Sequence, residues 1–137
     1  MTEPRNPPSE TGTDGFEGDP FFELGLAPTI VDDAAAAGLL TPTPIQREAI
    51  PAMLTGQDLI GLAQTGTGKT AAYLLPLLHR LLDRKKAKDV RSTSTLVLAP
   101  TRELAYQIAD SVKLLSTSLK LRYLVVCGGE RYDHQIR

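Results

Sequence analysis

The run from Ala63 to Thr70, which reads AQTGTGKT, constrains the fold of this chain more than any other feature. It follows the short apolar run 58–63 and opens the longer apolar stretch 69–83. A short apolar run predicts a buried strand, and the longer stretch predicts a helix that is buried on most faces. The glycines, the lysine and the threonine therefore stand at a turn from a strand into a helix.

This setting predicts a loop that binds phosphate groups. The two glycines let backbone N–H groups point inward, where they and the helix N-terminus form an anion site. Lys69 can reach the outer phosphates, and the Thr70 hydroxyl can hold Mg²⁺, so we predict these two as catalytic residues. The usual pattern begins with glycine, and Ala63 is a small substitute. The alternative is a turn that only connects two elements. The predicted nucleotide contacts are Ala63, Gln64, Thr65, Gly66, Thr67, Gly68, Lys69 and Thr70.

Two further apolar runs, 94–99 and 121–126, also predict strands. Between them, the stretch 102–116 has apolar residues at the spacing of an amphipathic helix. The order strand, helix, strand, helix, strand predicts an α/β domain with a parallel sheet and right-handed crossovers.

The region before the loop predicts shorter elements. Residues 1–20 are rich in proline, glycine and acidic residues, which predicts a disordered tail with structure starting near Phe21. Helices are predicted over 29–38 and over 45–54, and Pro51 is expected to bend or shorten the second. The chain then divides into a tail (1–20), an intermediate region (21–57) and the loop-bearing domain (58–137).

The composition is that of a globular domain, and it gives no sign of a membrane span, an internal disulfide or a general basic surplus. Apolar residues make up 42% and charged residues 23%, which is ordinary for a globular domain, and no apolar run is long enough to cross a bilayer. The single cysteine, Cys127, cannot form an internal disulfide, which favours a cytoplasmic location. A net charge of −1 indicates no general basic surplus for nucleic acid. The basic cluster within 83–92 could contact nucleic acid, but the favoured interpretation is a solvated loop.

Taken in order, the segments around the loop resemble the DEAD-box family of ATP-dependent RNA helicases. FFELGLAP (21–28) resembles the upstream aromatic segment of that family, and TPTPIQ (41–46) resembles its Q motif. AQTGTGKT resembles motif I, PTRELA (100–105) resembles motif Ia, and Gly128-Gly129 resembles the glycine pair beyond it. The resemblance covers residues 21–137 and implies a P-loop NTPase (RecA-like) fold with ATP, Mg²⁺ and RNA as ligands.

The resemblance also gives roles to residues outside the loop. A glutamine amide can donate and accept along the N6/N7 edge of adenine, so Gln46 is expected to select ATP over GTP. Phe21 is expected to stack on the base, with Phe22 as a substitute. The alternatives are that Gln46 is a residue on the surface of a helix and that Phe21 packs in the core.

The same resemblance implies an RNA-binding edge. It assigns the sugar-phosphate backbone of RNA to Pro100, Thr101, Arg102, Gly128 and Gly129. Arginine can bind a phosphate, and glycines let main chain approach RNA closely. The alternatives are an Arg102–Glu103 pair at a helix start and a plain glycine turn. Because all these loops follow the carboxyl ends of predicted strands, ATP and RNA are expected to bind at one edge of the sheet.

The acidic D-E-A-D motif of that family, its S-A-T motif and its second RecA-like domain are absent from the sequence. We therefore expect a truncated first domain that binds ATP and RNA with little hydrolysis alone. Unpaired sheet edges would make such a piece marginally stable or prone to aggregate. The alternatives are another P-loop NTPase, such as a DNA helicase, and a non-catalytic nucleotide- or RNA-binding fragment.

Overall fold

A computed structural model of the chain describes residues 13–86 and 93–129. Within these ranges the chain forms a short 3₁₀ helix and four α-helices, and the helices predicted from the sequence are confirmed with ends that differ by a few residues. The elements are the 3₁₀ helix Thr13–Phe16, α1 (Pro28–Ala36), α2 (Pro44–Leu54), α3 (Lys69–Lys86) and α4 (Arg102–Leu115).

Helix α3 lies at the centre of the packing. Leu74, Leu75 and Leu78 on this helix are fully buried, which confirms the prediction of a buried helix. They share one apolar cluster with residues of α1, of α2, of the end of α4 and of the segment that follows it. The partners from those elements are Ile30, Val31, Ala34, Ile50, Leu115 and Leu119.

Prolines lie in the first turns of α1 and α2 and in the interiors of α2 and α3. Pro28 and Pro44 occupy first-turn positions, where a missing N–H costs no helical hydrogen bond. Pro51 lies inside α2, yet the helix continues to Leu54, so the helix is not shortened there, and the alternative of a bend stays a prediction. The buried Ala49 and Ile50 hold this part of α2 in the core despite the lost hydrogen bond.

Ordered structure begins earlier than the composition predicts. Phe16 is buried in the core cluster, and its ring centroid lies 5.7 Å from that of Phe22. Residues 13–16 thus form a 3₁₀ helix whose Phe16 lies in the core, although disorder was predicted for residues 1–20. The rest of the predicted tail, residues 1–12, lies outside the described residues.

Over residues 13–86 and 93–129 no strand is assigned, so the predicted sheet is absent from this part of the chain. The runs 58–63, 94–99 and 121–126 carry no regular secondary structure. Most of their large apolar side chains are open to solvent, with Ile60 89% and Leu62 90% exposed. A helix satisfies its backbone within itself, whereas a strand needs a neighbouring strand for its hydrogen bonds.

Two polar contacts fasten α1 to distant parts of the chain. The Asp33 carboxylate, 4% exposed, accepts hydrogen bonds from Ser118 N at 3.1 Å and from Ser118 Oγ at 2.7 Å. His79 Nδ1 on α3 accepts from Ala27 N, at the start of α1, at 3.0 Å. None of the helices in the described ranges has the length and hydropathy of a membrane span.

Candidate nucleotide-binding site

The candidate site is built around the junction between the glycine loop and α3. The loop ends at Gly68, whose φ is +87°, and α3 begins at Lys69. Gly68 O accepts the first helical hydrogen bond from Ala72 N at 3.0 Å and a second bond from Gln46 Nε2 at 3.1 Å. One carbonyl thus joins the loop to both α2 and α3.

Gln46 is buried between α2 and the loop, with 1% of its surface exposed. Its Oε1 accepts from Thr43 N at 2.9 Å, while its Nε2 donates to Gly68 O. The interpretation of Gln46 as a surface helix residue is therefore wrong. The contact to Thr43 N follows from the T-x-x-Q pattern of a helix N-terminus, a sequence signal that we did not use. The contact to the loop has no local sequence signal, because it joins residues far apart in the chain.

Two effects require glycine at position 68: the space available for a Cβ and the backbone conformation. A Cβ placed on it would lie 2.5 Å from Gln46 Nε2 and 3.2 Å from Thr43 Oγ1. The positive φ adds strain for any residue with a side chain. The close fit of the loop against α2 therefore requires glycine at this position.

We expect Gly68→Ala to destabilise the protein by at least about 1 kcal/mol more than Gly66→Ala does. Gly66 is a matched control, since its φ is +82° and nothing lies within 4 Å of its Cβ position. The two variants share the backbone strain, so their difference in the free energy of unfolding, measured in urea, isolates the clash with Gln46. Equal losses in the two variants would contradict the role given to this contact.

The Lys69 ammonium folds back over the loop that precedes it. Its Nζ donates to the backbone carbonyl oxygens of Ala63 and of Gln64, the latter at 2.9 Å. These carbonyls are neutral acceptors, and phosphate oxygens are stronger ones because they are charged. Lys69 is thus held where an incoming anion can take over its hydrogen bonds.

Thr70, the second residue of α3, is half-buried beside the loop. It lines a cavity of about 220 Å³ together with Gln46 and Gly68. Burial raises the pKa of the Tyr73 phenol and a hydrogen bond to Thr70 opposes the rise, so this phenol stays protonated at neutral pH. A hydroxyl oxygen has two lone pairs, so Thr70 can bond to Tyr73 and still act as an oxygen ligand. That chemistry fits Mg²⁺, which prefers oxygen ligands.

The tip of the loop is open to solvent. Gln64, Thr65 and Gly66 are exposed, and Thr67 Oγ1 donates to Gln64 O at 2.7 Å, which closes a tight turn. The structure therefore brings the predicted loop residues and Gln46 together.

Phe21 lies away from solvent, in the apolar core. It is 1% exposed and belongs to the cluster around α3, as in the core-packing alternative. Phe22 is half-buried and its ring faces that of Phe16. Stacking of Phe21 on a base stays a prediction, and it would require the ring to become accessible.

The candidate RNA-binding residues also meet in space. Pro100, Thr101 and Arg102 are exposed at the start of α4, where Thr101 Oγ1 accepts from Leu104 N at 3.2 Å and so caps the helix. Arg102 Nη2 donates to Gly128 O at 2.6 Å. Two segments that are separate in sequence thus form one exposed surface.

A glycine loop that enters a helix through Lys69 and Thr70, with a buried glutamine bonded to its last carbonyl, defines a P-loop nucleotide-binding protein. Comparison with known families agrees, because residues 43–137 match the family described as DEAD/DEAH box helicase. The chain belongs to the DEAD/DEAH box helicase family.

Individual relatives support this assignment. The chain is 46% identical to DEAD-box ATP-dependent RNA helicase 36 of Arabidopsis thaliana over 90% of its own length and 23% of that protein. It is 48% identical to ATP-dependent rRNA helicase rrp3 of Sclerotinia sclerotiorum over 80% of its length and 22% of that protein. The chain therefore spans about a quarter of the length of these relatives.

A solved structure shows the same fold. The RNA helicase Prp28 from Chaetomium thermophilum, crystallised with ADP, superposes with a TM-score of 0.72 at 41% identity. The match covers 82% of this chain and 28% of that one. The described helices thus adopt the arrangement found in a DEAD-box helicase.

Proposed function

We propose that this chain is the part of an ATP-dependent RNA helicase that binds the nucleotide and one stretch of RNA backbone. The observation that carries the proposal is the hydrogen bond between Gln46 and Gly68, which ties the glutamine of the predicted adenine site to the predicted phosphate loop. The naming of its relatives as ATP-dependent RNA helicases supports the same function.

In this proposal the triphosphate lies against the loop and the start of α3. The N–H groups of 64–70 and the Lys69 ammonium bind the phosphate oxygens, and the Thr70 hydroxyl ligates Mg²⁺. Mg²⁺, when bound, neutralises the charge of the phosphates. Gln46 keeps the loop in register with α2 through Gly68 O, and its amide, 1% exposed, would have to become accessible to read the N6/N7 edge of adenine.

The RNA backbone lies on the surface formed by Pro100, Thr101 and Arg102 together with Gly128 and Gly129. The hydrogen bond between Arg102 and Gly128 supports one continuous surface. Arginine, exposed backbone and a helix N-terminus are groups that bind phosphates without reading sequence. RNA binding of this kind is independent of base sequence.

The sheet of the domain belongs to the proposal as well. The runs 58–63, 94–99 and 121–126 act as its parallel strands in the whole protein, and the domain begins near residue 58. The solvent exposure of their apolar side chains supports this, since a sheet covered on both faces would bury them. The nucleotide and the RNA then lie at the carboxyl edge of that sheet, in a cytoplasmic protein.

Gln46→Ala should remove the preference for adenine. A bidentate amide contact to a base discriminates by about 1 to 3 kcal/mol, so the unmodified protein should bind ATP at least fivefold more tightly than GTP. The variant should bind both nucleotides with similar, weaker affinity in calorimetric titrations. Gln107→Ala, which truncates an exposed glutamine of α4, serves as the control and should keep the preference. Equal affinity of the unmodified protein for ATP and GTP would sink the assignment.

The RNA half of the proposal is tested by fluorescence anisotropy with single-stranded RNA and with DNA of the same sequence. Stronger binding to RNA is expected, and equal binding would favour the alternative of a DNA helicase. We also expect residues 1–137 alone to bind ATP with little turnover, because the sequence holds no D-E-A-D segment to position Mg²⁺ and water.

A further inference from the structure

The Arg102 side chain closes over the turn at Gly128-Gly129. Its Nη2 donates to Gly128 O at 2.6 Å, a length typical of a strong hydrogen bond from a charged donor. A Cβ added to Gly129 would lie 3.4 Å from the same nitrogen, and the φ of Gly129 is +83°. The guanidinium and the turn are therefore fitted to each other.

We infer that Arg102 is a positioning residue that holds the Gly128-Gly129 turn beside the start of α4, so that the backbone of this turn can contact RNA. The inference rests on the proposed function, because it assigns how one residue of the proposed RNA surface works. It differs from the simpler role in which Arg102 binds an RNA phosphate directly.

The physical argument is the conformational freedom of a glycine pair. Glycine loses more backbone entropy on ordering than any other residue, so an unsupported Gly-Gly turn samples many conformations. A hydrogen bond from a charged group stabilises by about 1.5 to 3 kcal/mol, enough to hold the turn in one of them. RNA then meets a preformed surface and does not have to order it on binding.

The two roles differ in their salt dependence. A direct phosphate contact releases a counterion, so its loss lowers the slope of log K against log salt by about 0.7 on a single strand. Loss of a positioning residue weakens binding with little change in that slope. Arg122→Ala is the matched control, because it removes the same charge from an exposed site outside both loops.

The experiment compares Arg102→Ala with Arg122→Ala in RNA anisotropy at several salt concentrations. In parallel, the labelling rate of Cys127 by a thiol reagent reports on the turn without RNA, since Cys127 is the single cysteine and adjoins Gly128. We expect Arg102→Ala to weaken RNA binding about tenfold, to leave the slope close to that of the control, and to change the labelling rate severalfold. Adding Arg102→Ala to Gly129→Ala should cause little further loss, because both disrupt the same turn.

Three results overturn the inference. A slope lowered by about 0.7 relative to the control, with unchanged labelling, assigns Arg102 to a direct phosphate contact. Additive losses in Arg102→Ala and Gly129→Ala show that the two act separately. Absence of RNA binding by the unmodified chain, with labelling that still responds to Arg102→Ala, rejects the RNA function and leaves the hydrogen bond a purely structural one.

Discussion

Lys69→Ala should lower the affinity for Mg·ATP by at least about a hundredfold, which corresponds to about 2.7 kcal/mol. The structure places the ammonium against the loop carbonyls, within reach of an anion bound there. Its removal deprives the triphosphate of charge-assisted hydrogen bonds, each of which contributes about 1.5 to 3 kcal/mol. Isothermal titration with Mg·ATP measures the loss directly.

The fold should survive this change, because Lys69 lies at the first position of α3, outside the apolar cluster. Lys113→Ala is the control, since it removes an exposed lysine from the last turn of α4 and should leave the affinity unchanged. An ATP affinity that is the same in Lys69→Ala and in the unmodified protein would refute the assignment of the phosphate site.

The second large effect is expected on stability. Asp33→Ala should reduce the free energy of unfolding by about 2 to 3 kcal/mol, because hydrogen bonds to a charged, buried group are lost. This carboxylate accepts from both the backbone N and the hydroxyl of Ser118, and so joins α1 to the segment after α4. Urea denaturation followed by circular dichroism measures the change.

Asp32→Ala provides the matched control for this variant. Asp32 is the neighbouring residue on α1 and is exposed, so its replacement should cost no more than about 0.5 kcal/mol. Ser118→Ala removes the hydroxyl and leaves the backbone donor, so its cost should fall between the two. A cost for Asp33→Ala as small as that for Asp32→Ala would mean that the contact does not stabilise the fold.

The helices and the glycine loop that enters α3 were predictable because their signals are local. In α3 and α4 the apolar residues recur at helical spacing, and in 63–70 the residue types themselves predict an anion site. The predicted strands were a different case. The runs 58–63 and 94–99 are plainly apolar. A strand, however, forms only when a partner strand lies beside it. No strand is present in residues 13–86 and 93–129.

Phe21 and Gln46 show the limit of residue-by-residue reasoning. Both were predicted to contact the base, and both are buried, Phe21 among apolar side chains and Gln46 in hydrogen bonds. Burial depends on which elements pack together, so the choice between an aromatic that stacks on a ligand and one that fills the core was open until α1, α2 and α3 were placed.

The order and chemistry of the motifs by themselves determined the helicase family, the place of the glycine loop at a helix start and the approximate positions of the helices, because these depend on neighbours in the chain. Tertiary structure alone decided that Gln46 holds Gly68, that Arg102 holds Gly128 and that Asp33 holds Ser118. Each of these bonds joins groups that are far apart in sequence. A hydrogen bond requires its two atoms within about 3 Å, and only the packing of the helices brings them that close.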